Sequence, residues 1–101
     1  MRRGTTPTLT LTVDADLTGH HVYVTLQNAG SLLTLENDRL DIDVASGTTT
    51  IGLTLTQDET LAFCDCPAEV QVRAIKDGVA IATDIRHVAV NRILLEGAID
   101  E

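Results

Sequence analysis

Aromatic side chains are nearly missing from this chain. Tryptophan is absent, and Tyr23 and Phe63 are the only rings apart from the imidazoles. The core must therefore be aliphatic, and no aromatic platform is available on which bases or sugars could stack in series. Cations are scarce as well. Seven Lys and Arg stand against fifteen Asp and Glu, a formal net charge of −8. Nucleic acid is excluded as a partner because its recognition needs a basic patch that displaces counterions, and an anionic membrane surface is excluded for the same reason. No apolar run approaches the ~20 residues that span a bilayer as a helix. Arg2-Arg3 is followed by Gly-Thr-Thr-Pro-Thr rather than by an apolar stretch, so no secretory signal is expected. The protein is expected to stay in the cytoplasm unless it leaves as part of something larger.

What the chain does contain is alternation. With 101 residues, 44% of them hydrophobic, it is long enough for one domain with its own core. Val, Ile and Thr prefer extended backbone, and they recur here with period two. Thr8–Val13, His20–Gln27, Leu32–Leu35 and Leu40–Val44 read as four strands separated by turn clusters at Asp14–Gly19, Asn28–Gly30 and Asn37-Asp38. Ile51, Leu53 and Leu55 make a fifth. Thr56-Gln57-Asp58-Glu59 then has the form of a capping box, which predicts one helical turn ahead of Leu61 and Phe63. Val70, Val72 and Ala74 resume the alternation, and Lys76-Asp77-Gly78 signals a hairpin into Val79 and Ile81. Ile85–Val90 is expected to form a long, bulged edge strand, and Asn91–Leu95 either continues it or forms a short helix, with extended structure the favoured reading.

The sum is an all-β fold: an immunoglobulin-like β-sandwich of seven to eight short strands over residues 8–96. Residues 1–7 are expected to be a flexible N-terminal arm, and residues 97–101 a frayed acidic tail. Leu11, Val13, Val22, Val24, Ile42, Ile51, Leu53, Leu55, Phe63, Val70, Val72 and Ile81 are the expected core.

Several groupings invite a chemical reading. Cys64-Asp65-Cys66 has a one-residue gap and no second pair of ligands, which does not suit zinc, and a bridge between residues two apart is unfavourable in a reducing cytosol. Two incidental thiols are the expectation. His20 and His21 point to opposite faces of a strand and cannot chelate together. Asp14 with Asp16, and Asp41 with Asp43, each place two carboxylates on one face, yet neither has the further oxygen ligands of a calcium loop. A solvated acidic face is the simpler reading. No nucleophile elbow and no phosphate-cradling loop occur. No cofactor or metal is implied, and no enzymatic role.

Five stretches carry a family resemblance: MRRGTTPTLTLTV, VYVTLQ, LTQDETLAF, VQVRAI and VAVNRILLEGAI. In this order they resemble short proteins encoded in the tail-gene clusters of phages and prophages of Gram-positive bacteria. That group typically begins with Arg-Gly-Thr-Thr-Pro-Thr, has a Leu-Thr-Gln-acidic-acidic-Thr-Leu-x-Phe corner, and closes on a Val-x-Arg-Ile-Leu-x-Gly-like segment. The likeness covers nearly the whole chain; the Cys64–Cys66 stretch lies outside it. It implies a non-enzymatic structural component of a tail or virion, made in the host cytoplasm and then carried in the particle. Partners would be tail or other virion proteins, or further copies of the chain. Arg2 and Arg3 are the only clustered positive charge. An arm bearing them is expected to reach an acidic neighbour, the face with Asp41 and Asp43 on an adjacent copy being one candidate. The sheet edge left open by the long last strand offers a second route, through strand addition. The alternative is a small sandwich that binds protein or glycan through its loops, as adhesins do.

Overall fold

A computed structural model describes residues 1–101. Eight strands form: β1 (Thr8–Val13), β2 (His21–Asn28), β3 (Ser31–Glu36), β4 (Leu40–Ala45), β5 (Thr48–Thr54), β6 (Ala68–Lys76), β7 (Val79–Ala82) and β8 (Arg86–Val88). One short helix, α1 (Gln57–Leu61), and a single 3-10 turn at Asn37–Arg39 complete the elements. All pairings between strands are antiparallel. The order β1-β5-β4 makes a three-stranded sheet, and β3-β2-β6-β7 a five-stranded one, with β8 also on β6. The two sheets face each other as an immunoglobulin-like sandwich.

Three of the turns explain the registers. Ala29-Gly30, Ser46-Gly47 and Asp77-Gly78 each join directly paired strands through two residues, and all six have positive φ. That is the type I′ geometry whose twist matches the strands it connects. Each turn fixes which residues face inward, because a slip of one would invert the whole strand.

Val22, Val24 and Leu26 on β2 lie opposite Ala74, Val72 and Val70 on β6, and all six are buried. Ile51, Leu53 and Leu55 face them from the other sheet, and Phe63 is buried with them. Of the expected core, Leu11 and Ile42 are only half-buried, since they sit on β1 and β4 at the edges of the narrower sheet. Ile81 is 40% exposed because β7 has no strand opposite it. Leu17, Leu26, Leu35, Ala68, Ala74 and Val90, outside the expected set, join the core. Three polar side chains are buried too: Asn28, Thr49 and Thr60. Thr49 Oγ1 donates to the Ala15 carbonyl at 2.7 Å and accepts from the Leu17 N–H at 3.0 Å, which folds the β1–β2 connection down onto β5.

The long last strand does not form. β8 is three residues, followed by an isolated bridge at Asn91. The break lies at Thr83–Ile85. The Val72 N–H donates to the Thr83 hydroxyl, and Gln71 Nε2 donates to the Thr83 carbonyl, so side chains stand in for ladder bonds there. Beyond Val88 the backbone leaves the sheet and pairs with the N-terminus. The cysteines also depart from expectation: Cys64 and Cys66 are joined as a disulfide. Their loop curls between α1 and β6 so that the Cα atoms stand 5.5 Å apart, inside the range a bridge spans. Asn28 holds that loop. Its Oδ1 accepts from the Cys64 N–H at 2.6 Å, and its Nδ2 donates to the Cys66 carbonyl at 2.6 Å.

Candidate interaction surface at the paired termini

The helix α1 starts as the sequence specifies. Thr56 Oγ1 accepts from the Glu59 N–H, and Glu59 Oε1 accepts from the Thr56 N–H, closing the capping box. Glu59 is held a second time by Arg39, whose Nη2 lies 2.8 Å from Oε1 and Nη1 3.1 Å from Oε2. The Arg39 pairing, with the capping bonds, keeps the Glu59 carboxyl below the usual carboxylate range.

The other end of α1 has no basic residue in its last turn. Arg3 supplies one from the far end of the chain. Its Nη2 donates to the Leu61 carbonyl at 2.9 Å, its Nε donates to the Phe63 carbonyl, and its Nη1 meets Glu96 Oε1 at 2.7 Å. Carbonyls left open at a helix C-terminus attract a cation, and a planar guanidinium can serve two of them together with a carboxylate. Gly4 follows with φ +72°, in the region glycine adopts without strain. A Cβ there would stand 2.8 Å from Ile93 Cδ1 and 3.4 Å from Leu61 Cδ2. Thr60 Oγ1 donates to the Thr5 carbonyl at 2.9 Å, and the Leu55 N–H donates to the Pro7 carbonyl at 3.0 Å.

The N-terminal segment is thus not a free arm. The Met1 ammonium donates to the Ala89 carbonyl, the Asn91 N–H to the Met1 carbonyl, and the Arg3 N–H to the Asn91 carbonyl, at 2.6, 2.7 and 2.9 Å. Arg2 and Asn91 form a parallel bridge, and Arg2 Nη1 donates to the Arg92 carbonyl. The expectation of flexibility counted the apolar side chains of residues 1–7 and overlooked their backbone groups, which carry the docking. The tail is also tied: Gln57 Nε2 donates to the Ile99 carbonyl, and the Ile99 N–H donates back to Gln57 Oε1.

Two leucines stand out of this assembly. Leu94 is 90% exposed and Leu95 73%, on a segment held at one end by Arg2 and at the other by Arg3. Adjacent in sequence, the two apolar side chains face solvent from backbone that is anchored on both sides. Sequence reasoning assigned this segment to a strand and so missed both the leucines and the capping role of Arg3. The adjacent leucines, which fit neither strand face, were the available signal; nothing local marked Arg3.

The other anticipated site residues lie elsewhere. Asp41 and Asp43 are exposed on the outer face of β4, paired with Gly52 and Thr50, and within one molecule they are not brought to Arg2 or Arg3. Asp16 Oδ1 accepts from the Thr18 N–H at 2.9 Å and shapes a turn. His87 lies opposite Glu69 at the β8 edge. His21 stacks on Tyr23 with ring centroids 4.5 Å apart, and its Nε2 meets Glu36 Oε1 at 2.8 Å. No three His, Cys, Asp or Glu side chains converge as metal ligands would. No protein-family model matches the chain, and no curated protein matches it.

Proposed function

We propose that the protein is a non-enzymatic structural component of a phage or prophage tail or virion, and that it docks on a neighbouring virion protein through Leu94 and Leu95. The observation that carries this reading is the meeting of three separate segments around Arg3. They are residues 3–8, residues 55–63 and residues 90–97, the stretches on which the resemblance to tail-cluster proteins chiefly rests. One composite surface accounts for all three motifs, and its exposed feature is the leucine pair. Backbone anchoring keeps the ordering cost of that pair low when a partner covers it.

The test is incorporation into particles. Phage carrying Leu94→Asp with Leu95→Asp should yield purified particles depleted of the protein, while the isolated double variant keeps the wild-type far-UV spectrum and melting temperature. Particles that retain the variant at the wild-type level, or wild-type particles that lack the protein, would overturn the proposal.

One observation favours the second reading, a binding module. His21 and Tyr23 form a stacked, solvent-facing pair on the five-stranded sheet, with Arg73 opposite Tyr23. A glycan-array signal from the protein with no incorporation into particles discriminates that reading from assembly.

A further inference from the structure

We propose that β7 is the pairing edge of a homodimer, in which the β7 strands of two copies run antiparallel about a two-fold axis at Ala80. The inference stands on the fold alone and is independent of a role in virions. β7 is Val79-Ala80-Ile81-Ala82, and all four residues are exposed. One edge of this strand is bonded to β6; the other is open. The open groups can be identified. Val79 pairs with Lys76 across a two-residue turn, and the Thr83 N–H donates to the Val72 carbonyl, so odd-numbered residues bond β6. The N–H and C=O groups of Ala80 and Ala82 therefore point outward. In an antiparallel copy centred on Ala80, the Ala80 N–H and C=O pair reciprocally with those of the second Ala80, and Ala82 stands opposite Gly78 of the second copy.

The same register sorts the side chains. On the outer face Ala80 meets Ala80 of the second copy, flanked by Ile75 one strand further in on each side. On the inner face Val79 meets Ile81 of the second copy, twice over. Val79 and Ile81 are 67 and 40% exposed in the single chain, and this pairing sets them against each other. A shift by two residues would instead set Ala80 against Ala82 and leave Val79 opposite Thr83.

The remaining edges are guarded. β4 carries Asp41 and Asp43, β3 ends in Glu36, β8 bears Arg86, and on β1 the Thr12 carbonyl already accepts from Arg86 Nη2. Charges on an edge are the usual protection against pairing; β7 has none.

Sedimentation velocity of the full chain from about 1 μM to about 1 mM, the span of weak to moderate affinities, tests this. A monomer–dimer equilibrium is expected. Ala80→Pro removes an outward N–H and leaves the β6 ladder intact, so it should raise the dimer Kd by about tenfold or more with an unchanged circular dichroism spectrum. Should the proline variant misfold, Ala80→Lys sets two cations face to face and must give monomer. A wild-type chain that stays monomeric throughout, or a folded Ala80 variant that dimerises as wild type does, overturns the proposal.

Discussion

At the scale of single residues, the buried polar side chains shape this molecule as much as the aliphatic core does. Asn28 ends β2 with its amide engaged on both sides, holding the Cys64 N–H and the Cys66 carbonyl. Replacing it by alanine strands both groups in a buried site, at a cost of about 1–3 kcal/mol for each group left unsatisfied. Asn28→Ala should therefore lower the urea midpoint clearly, with an unchanged m-value. A midpoint within error of wild type would mean that water replaces the amide. The sequence marked Asn28 as the start of a turn, which it is. Its second role depends on a loop 36 residues away, and no local pattern reports such a distance.

Among the elements, α1 and its partners show how far local pattern carries. The capping box was legible from Thr56 and Glu59 alone because both of its bonds lie within four residues. The Lys76-Asp77-Gly78 hairpin was legible for the same reason, as was the turn at Asn28–Gly30; the order of the strands within the two sheets was not. The pairing of Glu59 with Arg39, 20 residues earlier, was not. It makes α1 sensitive to acid. The folded-state pKa of Glu59 is lowered, first by Arg39 and then by the capping bonds. The stabilisation is thus present above the unfolded pKa of about 4.3 and is lost as pH falls through the lower folded value. Glu59→Gln keeps a capping side chain but removes the charge. Its melting temperature should lie below that of wild type at pH 7, and the gap should narrow as the pH is lowered below the unfolded pKa of about 4.3. A constant gap across that range would show that the charge contributes nothing. The end of the last strand was illegible for a different reason. Val88 and Val90 have strand spacing, but Asn91 finds its partners in Met1 and Arg3, and no alternation encodes that preference.

On the scale of the whole molecule, the two layers account for an envelope of 45 × 28 × 20 Å, since paired sheets pack about 10 Å apart. The chain ends are part of that body. Deleting residues 1–7 removes the bonds to Ala89, Asn91, Leu61, Phe63, Thr60 and Leu55 at once. At roughly 0.5–1 kcal/mol for each of these bonds, the loss is on the order of 3–7 kcal/mol, and Tm should fall by more than about 10 °C. An unchanged Tm would instead restore the picture of a free arm.

The Arg2–Asn91 bridge also bears on how the chain reaches this state. Its hairpins close loops of two residues, which form in microseconds, whereas the bridge joins backbone 89 positions apart. On a ribosome, residues 1–3 emerge well before residues 89–91, their backbone partners. Until then the bonds of Met1 and Arg3 to Ala89 and Asn91 cannot form. A nascent chain halted short of Ala89 should show assembled hairpins while Met1 and Arg3 remain undocked.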